Sequence, residues 1–279
     1  MMTQEHPTLN YHLLDTGYCL ASEHHVLHGG RRRPVHCHAL VTLWHHQHRG
    51  WGLWDTGYAP RIWEATRAWP YRLYRYATPF RFQPHQAVVC QLAQFGLRAA
   101  DIRFVILSHF HADHIAGVRD FPEAQIIVQE AAYADIAGRH GLGAIRRAFL
   151  PALLPDDFLE RARFISSFCD PSLPVLGPTH DIFGDGVLQL IDLPGHARGQ
   201  MGLLARTPRG KVLFVGDGAW VTQAIQQNCP PHPCTHFVCD NVQQMRATLS
   251  RLHEFSLACP DVCLLPTHCP EISSRECAV

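Results

Sequence analysis

The sequence predicts an α/β protein whose strands form two sheets covered by helices, a four-layer αββα sandwich. Apolar runs of strand length recur from Ala39–Trp44 to Val262–Leu265 and alternate with helical stretches at both ends of the chain. So many strands fit two sheets better than one doubly wound sheet. No G-x-G-x-x-G follows a predicted strand and no G-x-x-x-x-G-K-[ST] loop exists, so dinucleotide and P-loop sites have no support. At 279 residues and 47% hydrophobic content, the chain has enough apolar residues for one domain with a full core.

The elements follow in order. Residues 11–20 read as a first strand with a turn, and the Arg- and His-rich 22–36 as a loop or hairpin tip at Gly29-Gly30. This forms an N-terminal extension of about residues 1–38. Ala39–Trp44 and Trp51–Trp54 are strands, the second ending at Asp55-Thr56-Gly57, a turn that can aim a carboxylate over the sheet edge. Trp63, Trp69, Tyr71, Tyr74, Tyr76, Phe80 and Phe82 interleave with arginines and prolines, either packed on the core or walling an apolar cleft. A helix is expected over Gln83–Phe95, stopped by Gly96. Phe104–Leu107 and Gln125–Val128 are strands, and Glu130–Gly138 a helix.

Residues 139–180 are irregular by pattern, with a helix-like piece around Leu142–Leu154, another over Asp156–Arg163 and then a Pro/Gly/Ser-containing tract, and are expected to be an insertion or lid. Strands return at Val187–Leu193, Met201–Ala205, Lys211–Val215 and Val262–Leu265. Between the last two, Asp240–Phe255 is an amphipathic helix with Val242, Met245, Leu249 and Leu252 on one face, capped by Asp240 or Asn241.

Composition narrows the function. A net charge of +0, without a basic block, gives no electrostatic case for a nucleic-acid or anionic-membrane partner. Lys211 is the only lysine, which argues against Schiff-base chemistry. The polar start, Met1–Asn10, lacks a signal-peptide pattern, and no apolar run is long enough to span a membrane. The 11 cysteines are scattered without a C-x-x-C pair and read as reduced, so a cytoplasmic location is expected. The 21 histidines are too many for all to be functional, so spacing and context must select among them.

The selection falls on Ser108-His109-Phe110-His111-Ala112-Asp113-His114-Ile115-Ala116-Gly117. His109 and His111 lie two apart at a strand end, where both rings can point the same way. Asp113 and His114 follow where the chain bends into a helix, so the stretch can present two ligand pairs to two neighbouring points. Further polar residues sit just past strand ends beside Pro or Gly: Asp55, His196, Asp217 and His268. His196 and His268 would complete one set each, and Asp217 can offer one oxygen to each metal. Such nitrogen and oxygen donors suit zinc first, and also iron, manganese or cobalt.

The 108–117 stretch resembles the HxHxDH signature of the metallo-β-lactamase superfamily. Leu-Trp-Asp-Thr-Gly (53–57), Leu-Pro-Gly-His (193–196), Val-Gly-Asp (215–217) and Pro-Thr-His (266–268) resemble its other motifs in the usual order. The resemblance runs from about residue 40 to 270 and implies the metallo-β-lactamase type of αββα sandwich over the whole chain. It implies two divalent metals, one on His109, His111 and His196, the other on Asp113, His114 and His268. Asp217 would bridge them and Asp55 would support the ligand histidines.

The nearest likeness within the superfamily is to the N-acyl-homoserine lactonase (quorum-quenching) group. Those enzymes commonly carry a substrate-contacting tyrosine three residues after the bridging aspartate. Here the position is Trp220, whose indole N–H donates a hydrogen bond but cannot transfer a proton. Tyr18 or Tyr58 could supply a hydroxyl instead.

The expected function is therefore hydrolysis of a lactone or carboxylic ester by a bridging hydroxide. Asp113, Asp217 and Trp220 would be the catalytic side chains, acting on a small molecule with an apolar portion. Thioester or phosphodiester hydrolysis by the same core is the alternative, and a metal-binding sensor or scaffold the non-enzymatic one. Neutral charge disfavours a nuclease groove. The aromatic N-terminal region offers a surface for a homodimer.

Overall fold

The computed structural model describes residues 8–276. The reading of the N terminus as free of an export signal falls mostly on residues 1–7, outside the described residues. The first sheet is built from β1 (Leu9–Ser22), β2 (Pro34–His46), β3 (Gly50–Trp54), β4 (Phe80–Arg81), β5 (Ile102–Ile106), β6 (Gln125–Gln129) and β7 (Ala162–Ile165), in the order β4-β1-β2-β3-β5-β6-β7. The second contains β8 (Asp170–Leu173), β9 (Gly177–Asp181), β10 (Leu188–Asp192), β11 (Met201–Thr207), β12 (Gly210–Gly216) and β13 (Val262–Pro266), in the order β13-β12-β11-β10-β9-β8. Strands β3, β5, β6 and β7 run parallel, as do β12 and β13; the other pairings are antiparallel. With helices outside both sheets, this is the predicted αββα sandwich.

Strand alternation explains why the strands read as unbroken apolar runs. In β2, Leu40 and Trp44 point into the core between the sheets, against Leu190, Leu203 and Phe214. The intervening Val41 and Leu43 point outward, beneath a helical layer that contributes Ile62, Tyr74 and Leu92. Both faces of the sheet are covered, so both sets of side chains are apolar. On the far side, the helix Val242–Ala258 buries Met245, Leu249, Leu252 and Phe255, and Asn241 caps it by accepting from the Gln243 and Gln244 N–H groups. Among the described residues, no helix is long and apolar enough to cross a membrane.

Three stretches depart from the sequence reading. The continuous helix expected over 83–95 is interrupted at Ala87, which is extended (ψ 140°), leaving a turn at Pro84–Gln86 and a helical run Val88–Gln91 that tightens over Leu92–Phe95. The 139–180 region holds more structure than its pattern suggests. Its helices Gly141–Ile145 and Phe158–Arg161 fall at the two helix-like pieces read there, and the departure lies in its strands, the last of the first sheet and the first two of the second. Those strands have only four or five residues and some contain proline, too short for a period to show. The aromatic segment divides: Tyr58, Tyr74 and Phe80 are buried, whereas Trp63, Trp69 and Tyr76 are exposed.

Candidate metal centre

Asp55, the residue after β3, adopts a left-handed φ of 61°. That turns its carboxylate back under the β5 end, where Oδ1 accepts from the Ser108 N–H at 2.8 Å and Oδ2 from the Ser108 hydroxyl at 2.8 Å. The next turn holds the histidine stretch from behind. The Thr56 N–H and hydroxyl both donate to the His114 carbonyl, at 2.8 and 2.9 Å. Gly57 (φ 61°) lies so close to Thr16 that a Cβ there would come within 2.1 Å of its hydroxyl oxygen, so only glycine fits. His111 is extended (ψ 147°) and begins the short helix Ala112–Ile115, which carries Asp113 and His114. His196 enters from the β10–β11 loop. Gly195 (φ 126°) lets that loop lie against the helix Val242–Ala258, where a Cβ would meet the Met245 nitrogen at 2.0 Å. Asp217 follows β12 and His268 follows β13, parallel neighbours that end together.

All seven predicted ligands meet in two adjoining groups. His109, His111, His196 and Asp217 form one; Asp113, His114 and His268 form the other. In each, one donor atom per residue lies within 4.8 Å of the rest, close enough to hold a metal ion. Three of the five rings are anchored through their back nitrogens, whereas His196 Nδ1 is buried without a partner. His114 Nδ1–H donates to Asp55 Oδ2 at 2.8 Å and His268 Nδ1–H to the His38 carbonyl at 2.5 Å. The Ser108 hydroxyl spends its one proton on Asp55, so His109 Nδ1–H donates to it at 2.9 Å. These anchors fix the tautomers and aim the Nε2 atoms inward, as is usual around metal-bound imidazoles.

The inward atoms want a partner. His109 Nε2 is buried and has no hydrogen-bond partner, and His114 Nε2 and Asp217 Oδ1, 3.3 Å apart, are buried without a well-aligned hydrogen bond. His196 Nε2 and His111 Nδ1 face each other at 2.9 Å. A buried polar atom without a partner costs about 1–3 kcal/mol, so several together are explained best by an ion they would share. The residues present therefore fit two divalent cations.

The electrostatics agree. Burial, and then the neighbouring imidazoles, push His109 and His111 well below the ordinary histidine value, which keeps them neutral and able to donate lone pairs. Burial also opposes charge on His196 and His268, but the adjacent Asp217 carboxylate outweighs it and raises both to about 9. Asp217, despite burial, is held well below the carboxylate range by His268, His114 and His196. In the metal-free chain, protons on these rings supply the positive charge the carboxylate requires.

Trp220 reaches the centre, with its Nε1–H donating to Asp217 Oδ2 at 3.0 Å and its ring edge-on to His196 at 5.7 Å. Neither Tyr18 nor Tyr58 hydrogen-bonds a ligand residue. Tyr18 stacks on His36 at 3.9 Å, and Tyr58 is buried among Phe80 and Phe82. The hydroxyl that arrives is that of Tyr74, 3.4 Å from Asp113 Oδ1. Sequence reasoning gave Tyr74 no role beyond the aromatic segment and gave Ser108 none beyond its place in the motif. Adjacency to His109 was a usable signal for Ser108; none pointed to Tyr74 or to the His38 carbonyl.

The sequence profile of the metallo-beta-lactamase superfamily matches residues 31–236. An N-acyl homoserine lactonase AttM of Rhizobium radiobacter is 33% identical over 136 residues, 47% of this chain and 46% of that protein. A probable metallo-hydrolase, Rv2300c, of Mycobacterium tuberculosis is 29% identical over 193 residues, 65% of this chain and 56% of that protein. The chain thus spans about half the length of the curated relatives it matches. A solved N-acyl homoserine lactone hydrolase with N-hexanoyl-L-homoserine at its catalytic metal centre superposes with a TM-score of 0.71, covering 95% of this chain and 94% of that one at 18% identity. The dizinc quorum-quenching lactonase AidC gives 0.63, covering 94% and 88% at 17% identity. At such identities these likenesses concern the fold.

Proposed function

The chain belongs to the metallo-β-lactamase superfamily, and on that premise we propose that it is a dinuclear metal-dependent hydrolase that opens a lactone or cleaves a carboxylic ester. The observation that carries this is the shared carboxylate. Asp217 Oδ2 lies 3.1 Å from His196 Nε2 of one group, Oδ1 lies 3.3 Å from His114 Nε2 of the other, and His268 Nε2 of that second group is within reach of both oxygens, at 3.0 Å from Oδ1 and 3.1 Å from Oδ2. His109, His111 and His196 would hold one metal, Asp113, His114 and His268 the second, and Asp217 both. Zinc suits this donor set first; iron, manganese and cobalt also fit.

Two bound divalent ions supply an acidified water as nucleophile and an electrophile for the carbonyl oxygen. The chain's own residues do the rest. The Asp113 side chain is 14% exposed against 1% for His114 and 4% for Asp217, so it stands at the mouth of the centre. There it can take the proton of the attacking water and return it to the leaving alkoxide. The buried imidazoles and Asp55 hold the ligand atoms in place, so little reorganisation accompanies the reaction.

Part of the predicted lid region covers one side of the centre in this proposal. The Ala148 carbonyl accepts from the Ala112 N–H, and Arg147 pairs with Asp240 at 2.5 Å, whose own N–H donates to the His196 carbonyl. An N-acyl homoserine lactone is the proposed substrate. The likeness to lactonases supports it, as do the exposed rings of Trp63, Trp69 and Tyr76 on the segment that brings Tyr74 to Asp113, an apolar surface for an acyl chain. The proposed location is the cytoplasm, from the scattered cysteines.

The test is metal analysis of untagged protein, followed by a panel of lactones with short and long acyl chains, aryl esters, a thioester and a phosphodiester. Two metals per chain and turnover favouring long-chain lactones are expected. Absence of metal would remove the dinuclear reading, and turnover of the phosphodiester alone would remove the carbonyl one.

A further inference from the structure

The two carboxylates of the centre are each held by an aromatic donor. Asp217 is held by Trp220, whose N–H is thereby committed to a carboxylate both metal groups share. Asp113 belongs to one group only. Its Oδ2 is the oxygen turned inward, 3.9 Å from His114 Nε2 and 3.7 Å from His268 Nε2, while Oδ1 faces the Tyr74 hydroxyl at 3.4 Å.

Tyr74 is well placed to impose that orientation. It lies on the helix Leu73–Ala77, its ring packs near Phe80 at 6.3 Å, and its carbonyl accepts from the Thr78 N–H at 2.8 Å and the Thr78 hydroxyl at 2.7 Å. The hydroxyl ends against the most exposed ligand of the centre, where the carboxylate would otherwise be free to rotate. At 3.4 Å the bond is long for O–H···O, and such contacts commonly shorten once a site is filled.

We propose that Tyr74 is a positioning residue for Asp113: its hydroxyl restrains Oδ1 and so presents Oδ2 as the single oxygen for the metal shared with His114 and His268. The inference rests on the dinuclear reading above. It assigns to Tyr74 an effect on one metal of the pair, whereas the donor on Asp217 acts on a carboxylate common to both.

The experiment is Tyr74→Phe, which keeps the ring and removes only the hydroxyl. Stepwise Zn²⁺ affinities of wild type and variant are measured by competition with a chromophoric chelator, beside the melting temperature of the metal-free proteins. Outer partners of metal ligands typically contribute about 10–100-fold in affinity. One of the two Zn²⁺ sites should weaken by that order, the other keep its wild-type affinity, and the metal-free melting temperature stay unchanged. In an Asp113→Asn background the same substitution should have no further effect on that site. Wild-type affinities at both sites of the variant would overturn the proposal, as would equal weakening of both with a lowered melting temperature, the mark of a purely structural role. A wild-type protein that binds no zinc pair would instead take down the dinuclear reading, and this inference with it.

Discussion

On the surface, His24, His25 and His28 of the β1–β2 hairpin gather around His232, with ring centroids 4.2, 6.5 and 5.5 Å from it. In the interior, His111, His114 and His196 gather around His109 at 4.5, 4.1 and 5.2 Å. Ring spacing barely separates the two clusters; what surrounds them does. Of the interior rings, His109 and His114 are anchored through Nδ1 by Ser108 and Asp55, as the adjoining His268 is by the His38 carbonyl, and the group faces Asp113 and Asp217. On the surface, His232 spends Nδ1 on the Cys234 N–H, and the neighbouring Glu23 is engaged by Arg33. Among the described residues, only the interior clusters bring three or more ligand atoms within 4.8 Å of one another. Crowded histidines make a metal site when their tautomers are fixed and a carboxylate offsets the charge, and crowding alone supplies neither.

The sharpest way to break this contrast is His109→Ala. It removes a ligand nitrogen rather than a support, so turnover should fall by more than the roughly 10–100-fold typical of outer partners, and metal content should drop below two per chain. Unchanged turnover at full metal content would place the active site elsewhere.

Proton competition comes next. His196 and His268 are held at about 9 against an ordinary 6.5. Their pairing with Asp217 therefore stabilises the metal-free fold fully below 6.5, and that contribution is lost as pH rises through about 9. Asp217 runs the other way, being depressed: its contribution is present above 3.8 and lost in acid. Metal must displace the histidine protons, so zinc affinity should climb between pH 6.5 and 9, by about tenfold per unit for each proton released, and then level off. Chelator competition across that range checks it, and a flat profile would mean these rings do not bind the metal.

The difference between the two clusters was partly legible in the sequence. The interior donor residues could be found because each follows a β-strand and four of them lie within residues 109–114. Strand ends are fixed by apolar periodicity, a local signal. The anchors were less visible. Asp55 could be picked out by its Asp-Thr-Gly turn, but the His38 carbonyl is a backbone atom that no residue type advertises. Tyr74 meets Asp113 across 39 residues through a helix whose position depends on tertiary packing. The same limit hid β7, β8 and β9, which are held by neighbouring strands more than by their own short sequences.

Asp55→Ala tests the anchors. It leaves both ligand atoms of His109 and His114 present but removes the acceptor that orients them. Metal affinity should fall about 10–100-fold, and exposing the buried Ser108 N–H without a partner should cost about 1–3 kcal/mol in stability. Asp55→Asn should recover part of the stability, since an amide oxygen still accepts from Ser108, and less of the affinity, since the charge facing His114 is gone. Equal metal binding by all three proteins would show that the rings are held by packing alone.

The smallest effect is expected at the surface. His232→Ala removes the ring at the centre of the exposed cluster, touches none of the seven interior ligands, and deletes a side chain whose one hydrogen bond is to an exposed loop N–H. Surface substitutions of this kind usually change stability by no more than about 0.5 kcal/mol. Metal content should stay at two per chain and turnover should be that of wild type. The measurement is metal analysis of untagged His232→Ala beside His109→Ala under identical metal supply. If the surface variant loses metal as the interior one does, then ring spacing alone is enough to bind an ion here, and the distinction drawn from anchored tautomers and opposing carboxylates fails.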